Sequence, residues 1–97
     1  MSLNYIVLSG QLAQAGEIRY TASGKPVLEF HLNLSDAEDS PQVRVIGQRS
    51  QALELSEQLR RGVQVVVEGQ LIQRKVEESG HHRKLPEIRM DHLILST

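Results

Sequence analysis

The sequence contains no cysteine and no tryptophan, and its only aromatic residues are Tyr5, Tyr20 and Phe30. Without cysteine, neither a disulfide framework nor a thiolate metal site is available, and an intracellular setting is expected. No apolar run approaches the roughly 18 residues needed to span a bilayer. The opening residues also lack the basic lead and cleavage site of a secretory signal. A cytoplasmic protein with no membrane partner is the expectation. A dominant charge is missing too: the net charge is −1 over 97 residues, far from the strongly basic balance of many nucleic-acid binders. The charges are nonetheless unevenly spread. Residues 1–41 carry two basic against five acidic side chains, and residues 42–97 carry nine against seven. Any phosphate-binding surface must be local and lie mostly in the second half.

What is present is a series of short β patterns in one domain, 1–97. Tyr5 to Leu8 is apolar and largely β-branched, Gly10 marks a bend as barrel corners require, and Glu17 to Tyr20 continues the strand past Gly16. Thr21 to Pro26 is a turn cluster. Leu28, Phe30, Leu32 and Leu34 then alternate with Glu29, His31 and Asn33, the period of a half-buried strand. An acidic loop, Asp36 to Pro41, leads to a third strand with Val43 and Val45 inward and Arg44 and Ile46 outward. Ser50 can cap a helix running to Leu59, with Ala52, Leu55 and Leu59 on one stripe and Gly62 as its stop. Val63 to Val76 is a long strand broken at Gly69. Glu77 to His82 reads as a hairpin loop, and Ile88, Met90, His92 and Ile94 alternate along a last strand. Five strands with one helix between the third and fourth suit an all-β, five-stranded Greek-key barrel.

Several stretches resemble the single-stranded-DNA-binding protein family. They are Asn4 to Leu12, Glu17 to Tyr20, Ser23 to Val27, and above all Leu59 to Leu71 with Arg74-Lys75 after it. The likeness runs through nearly the whole chain in order, and the final strand and overall size are also similar to primosomal replication protein N, a shorter relative. The resemblance implies an OB-fold barrel that binds single-stranded DNA. Three departures stand beside it. Ile46 and Val76 occupy positions where the family places aromatic residues, the loop between strands two and three is short and acidic, and Leu95-Ser96-Thr97 does not match the family's acidic C-terminal tail.

Binding a single strand needs cations along its backbone and π-faces for its bases. The candidate nucleic-acid-binding residues are Tyr20, Lys25, Arg44, Arg74, Lys75, His81, His82, Arg83 and Lys84, the last four in the hairpin loop. Tyr20 is the stacking candidate, against the alternative of a rim tyrosine packed on Pro26. Phe30 falls on the apolar face and is expected in the core. The resemblance assigns Tyr5, on the first strand, to subunit contact. The four histidines show no ligand spacing, no glycine-rich phosphate loop precedes a helix, and nothing orders a nucleophile with a base. No metal, no cofactor and no enzyme activity are expected.

Two readings follow. One is a single-stranded DNA (or RNA) binding accessory protein of replication or repair, weak and without sequence preference. It would associate with itself as a dimer or tetramer and with a replication or repair protein. The other is an OB-fold interaction or oligomerisation module that has lost nucleic-acid binding.

Overall fold

A computed structural model describes residues 4–48 and 50–96, the side chain of Ala52 excepted. Six strands form one sheet: β1 (Ile6–Leu12), β2 (Glu17–Tyr20), β3 (Pro26–Asn33), β4 (Gln42–Gly47), β5 (Gln64–Glu78) and β6 (His81–Leu95). The order is β1-β5-β6-β4-β3-β2, and a further pairing of β1 with β3 closes five of the strands into a ring. The closure is made at Gln11↔Asn33 and Leu12↔Leu32, where β1 leaves β5 and meets β3. Gly10 sits at that crossing. A Cβ there would stand 2.6 Å from the Asn33 carbonyl oxygen, so the corner anticipated at this glycine is a close approach of two backbones. This is the five-stranded barrel expected.

The alternation of β3 and β4 carries directly into the core. Leu28, Phe30 and Leu32 join Val43 and Val45, and Val65, Val67, Ile88, Met90 and Leu93 fill the other side. Phe30 is buried, as expected. Leu34 is not: β3 ends at Asn33, and Leu34 lies in the loop, exposed. The segment Glu17–Tyr20 also departs from expectation, because it is a separate strand paired with β3 alone.

The helix is shorter than its sequence stripe. Ser50–Glu54 is α-helical, and Ser56–Gln58 winds tighter as a 3-10 turn. A helix this short has little stability of its own. The tighter winding sets Leu59 into the core, where it closes one end of the barrel while its carbonyl accepts the Gly16 N–H at 2.8 Å. Ala52, placed on the same stripe by the sequence, has a side chain outside the described residues. Gly62 ends the segment at φ 87°, the left-handed conformation that glycine adopts at least cost.

The last strand corrects the sequence reading in two places. Glu68 pairs with His92 but Gly69 pairs with Met90, leaving Asp91 as an extra residue on β6. One extra residue exchanges the two faces of a strand. Leu93 is therefore buried, whereas His92 and Ile94, read as partners of Ile88 and Met90, face outward. The second correction is the hairpin. Its turn is only Ser79-Gly80, both at positive φ (50° and 80°), the signature of a two-residue primed turn. His81, His82, Arg83 and Lys84 are strand residues, paired with Glu78, Glu77, Val76 and Lys75. From Gln73 to Pro86 the two strands pair only with each other. They form an arm that extends about 20 Å past the barrel, at roughly 3.3 Å per residue.

Candidate nucleic-acid interface

The arm presents two faces. Cross-strand partners share a face, so Lys75, Glu77, His82 and Lys84 lie on one and Arg74, Val76, Glu78, His81, Arg83 and Leu85 on the other. Lys75 and Lys84 are directly opposed. Like charges in that relation repel, and among the described residues neither lysine has a carboxylate partner. Together with His82 and Arg83 they line a shallow hollow. Arg83 also reaches Glu78 at 3.1 Å, an exposed pair that constrains it weakly.

Arg44 has a different setting. It lies outward on β4, but its side chain is only 21% exposed, and its guanidinium is gripped from both sides. One terminal nitrogen donates to Glu29 at 2.7 Å and the other to Glu87 at 2.6 Å. The hydrogen bond from Arg44 holds the Glu29 carboxyl below the usual carboxylate range, against the opposing effect of its burial. Glu29 in turn raises the pKa of Arg44. The chain of charges continues outward. Arg19 bridges Glu17 (3.1 Å) and Glu29 (3.4 Å), and Arg74 approaches Glu87 at 3.6 Å. Three arginines and three glutamates thus alternate across β2, β3, β4, β6 and β5 with no net charge. Arg44 is committed to carboxylates rather than free for phosphate, and Arg74 is partly so.

Tyr20 and Lys25 stand apart, on the hairpin joining β2 to β3. The Thr21 N–H donates to the Lys25 carbonyl at 2.9 Å, and Gly24 takes φ 85°. Tyr20 pairs in register with Pro26, yet it is 71% exposed, so its ring face is open to solvent rather than packed. Ile46 and Val76 are each half-buried on outward faces and offer no aromatic surface.

Three residues that matter on this face were not singled out in the sequence. Glu29 and Glu87 looked like ordinary polar positions of alternating strands, and only the register across three strands joins them to Arg44. Arg89 lies beside Ile46 at the parallel seam of β4 and β6 and lines a shallow cleft there with Met90 and Asp91. It is exposed, and among the described residues it has no carboxylate partner.

The opposite side of the barrel differs in character. Tyr5, just before β1, Val7 on β1 and Ile94 on β6 are all more than half exposed. The Tyr5 hydroxyl donates to Glu68 at 2.9 Å, which raises the pKa of the phenol. The Asn4 side chain exchanges two hydrogen bonds with Leu71 and prolongs the β1–β5 ladder. No cluster of three or more metal-ligating side chains occurs among the described residues. Nor is any described helix long and apolar enough to cross a membrane.

A closed five-stranded Greek-key barrel with one short helix and a long β5–β6 arm is an oligonucleotide-binding fold. Residues 3–96 match the Single-strand binding protein family, and the chain belongs to that family. Among solved structures it is similar to the Plasmodium falciparum SSB in complex with ssDNA, at TM-score 0.80 and 23% identity. That match covers 100% of this chain and 97% of the other.

Proposed function

We propose that the protein is a single-stranded-DNA-binding accessory protein of replication or repair, binding weakly, without sequence preference and mainly through charge. The observation that carries this reading is the opposed pair Lys75 and Lys84, with Arg83 and His82 beside it, on an arm that reaches out from the barrel. Two ammonium groups held face to face are stabilised by an anion between them, and a phosphate backbone supplies anions along its length. Family membership and the open face of Tyr20 support the same reading. A fluorescence titration with an oligo-dT strand at low salt tests it. Affinity in the micromolar range that falls steeply with added salt is expected. No binding at low salt would favour the other reading, an interaction module that has lost nucleic acid.

Self-association belongs to the same proposal. Tyr5, Val7 and Ile94 expose apolar surface that the barrel core does not use, beside Glu68 and His92, and exposed apolar surface of this kind supports a contact surface. Light scattering at tens of micromolar is expected to give at least twice the 10.9 kDa chain mass, and Val7→Lys is expected to shift the mass toward monomer. A monomer mass for the unaltered chain would remove this part.

A further inference from the structure

The six-charge ladder across the outer face has more order than folding requires. Glu87 is among the most buried polar residues, with a side chain only 5% exposed, yet it lies on the outward side of β6 and holds two arginines. Burying such charges gains little net stability, because desolvation offsets the attraction. The arrangement is also incomplete: the Arg44 Nε–H is buried and has no hydrogen-bond partner among the described residues. What the ladder does achieve is a fixed charge pattern, in which the guanidinium groups of Arg44 and Arg74 are already occupied by carboxylates.

We infer that Glu29 and Glu87 are built-in competitors of phosphate, which hold Arg44 and Arg74 in carboxylate pairs and keep the affinity of this face for a polyanion low. The inference rests on the reading of the protein as a single-strand binder. A carboxylate and a phosphate offer a guanidinium the same oxygen geometry, so the two compete for the same fork of donors. The glutamates are tethered, and their effective concentration far exceeds that of a passing strand. A strand can therefore engage Lys75, Lys84 and Arg89, and also Arg83, whose exposed pair with Glu78 holds it weakly, while Arg44 and Arg74 are withheld by carboxylates in the sheet. Glu29 and Glu87 then set the affinity from the carboxylate side without touching the nucleic acid.

Replacing a glutamate by glutamine keeps its size and an acceptor oxygen but removes the charge that binds the arginine. In an oligo-dT titration at low salt, Glu29→Gln is expected to bind about tenfold tighter, the gain of one charge-assisted contact. Its log–log salt slope should steepen by about 0.7, one more phosphate neutralised. Glu87→Gln should act in the same direction. Adding Arg44→Gln to Glu29→Gln should return both quantities to the starting values. Glu38→Gln, in the loop between β3 and β4, makes the same change in net charge and is expected to alter affinity less than about twofold. If Glu87→Gln does not fold, as judged by its melting curve, Glu29→Gln carries the test alone. Folded Glu29→Gln that binds no more tightly than the unaltered protein, or a Glu38→Gln gain as large, overturns the inference and leaves the proposed function standing. Absence of binding by the unaltered protein and every variant would overturn both.

Discussion

Gly69→Ala is expected to destabilise the fold by about 3 kcal/mol or more, the upper range for forcing an atom into a packed interior. Gly69 is buried at the point where β6 carries its extra residue. A Cβ there would overlap the Arg89 carbonyl oxygen and stand 2.9 Å from the Met90 Cα. Both obstacles are backbone, so no rotamer change relieves them. The strand would have to move, and with it the adjacent β4–β6 seam and the core residue Met90. For a domain of this size the loss corresponds to a fall of about 12 °C or more in Tm. It is also a large part of the roughly 5–15 kcal/mol that separates folded from unfolded chains. Gly24→Ala is the comparison, because nothing lies within 4 Å of its added Cβ. That variant should lose only the left-handed conformational cost, about 1–2 kcal/mol. Urea denaturation of both variants measures the difference. Equal losses would mean that the bulge yields easily and that the close approach at Gly69 does not hold β6 in register.

The same bulge marks the boundary of what the sequence made legible. Leu28 to Leu32 and Val43 to Val45 could be placed because each strand has one dry face and one wet one, and a period of two records that difference. On β6 the period is correct locally but slips at Asp91, and nothing in the order of residues marks an extra residue opposite a glycine. The arm is harder still. Both of its faces meet solvent, so residues 77–82 show no apolar alternation and read as a loop, although the strands pair right up to the two-residue turn. The basic residues of the arm were recognisable as a cluster because they are close in sequence. The commitment of Arg44 was not, since Glu29 and Glu87 are 15 and 43 residues away and meet it only through sheet register.

Replacing Arg74, Lys75, Arg83 and Lys84 together by alanine is expected to abolish measurable binding to single-stranded DNA. Single-strand-binding proteins are the type case for bases stacked on aromatic side chains, at about 1–3 kcal/mol per base. If Ile46 and Val76 stand at two such positions, as the family resemblance implies, about 2–6 kcal/mol of that contribution is missing. Tyr20 is exposed, but it lies on a different hairpin from the arm. Charge must then carry most of the affinity. Each phosphate neutralised contributes about −0.7 to the log–log salt slope, which at about 0.05 M salt is worth roughly tenfold in affinity. Lys75 and Lys84 are available in full, and Arg74 and Arg83 in part, because Glu87 stands 3.6 Å from the first and Glu78 3.1 Å from the second. The quadruple substitution should therefore weaken binding about a thousandfold at that salt and flatten the slope by about 2–3. The fold should survive, since these side chains are exposed and Lys75 and Lys84 repel one another across the ladder. A melting temperature equal to or slightly above that of the unaltered chain would confirm this and assign the loss to the interface. Nanomolar binding that persists in high salt, or binding unchanged by the four substitutions, would show that contacts other than the arm's cations hold the strand.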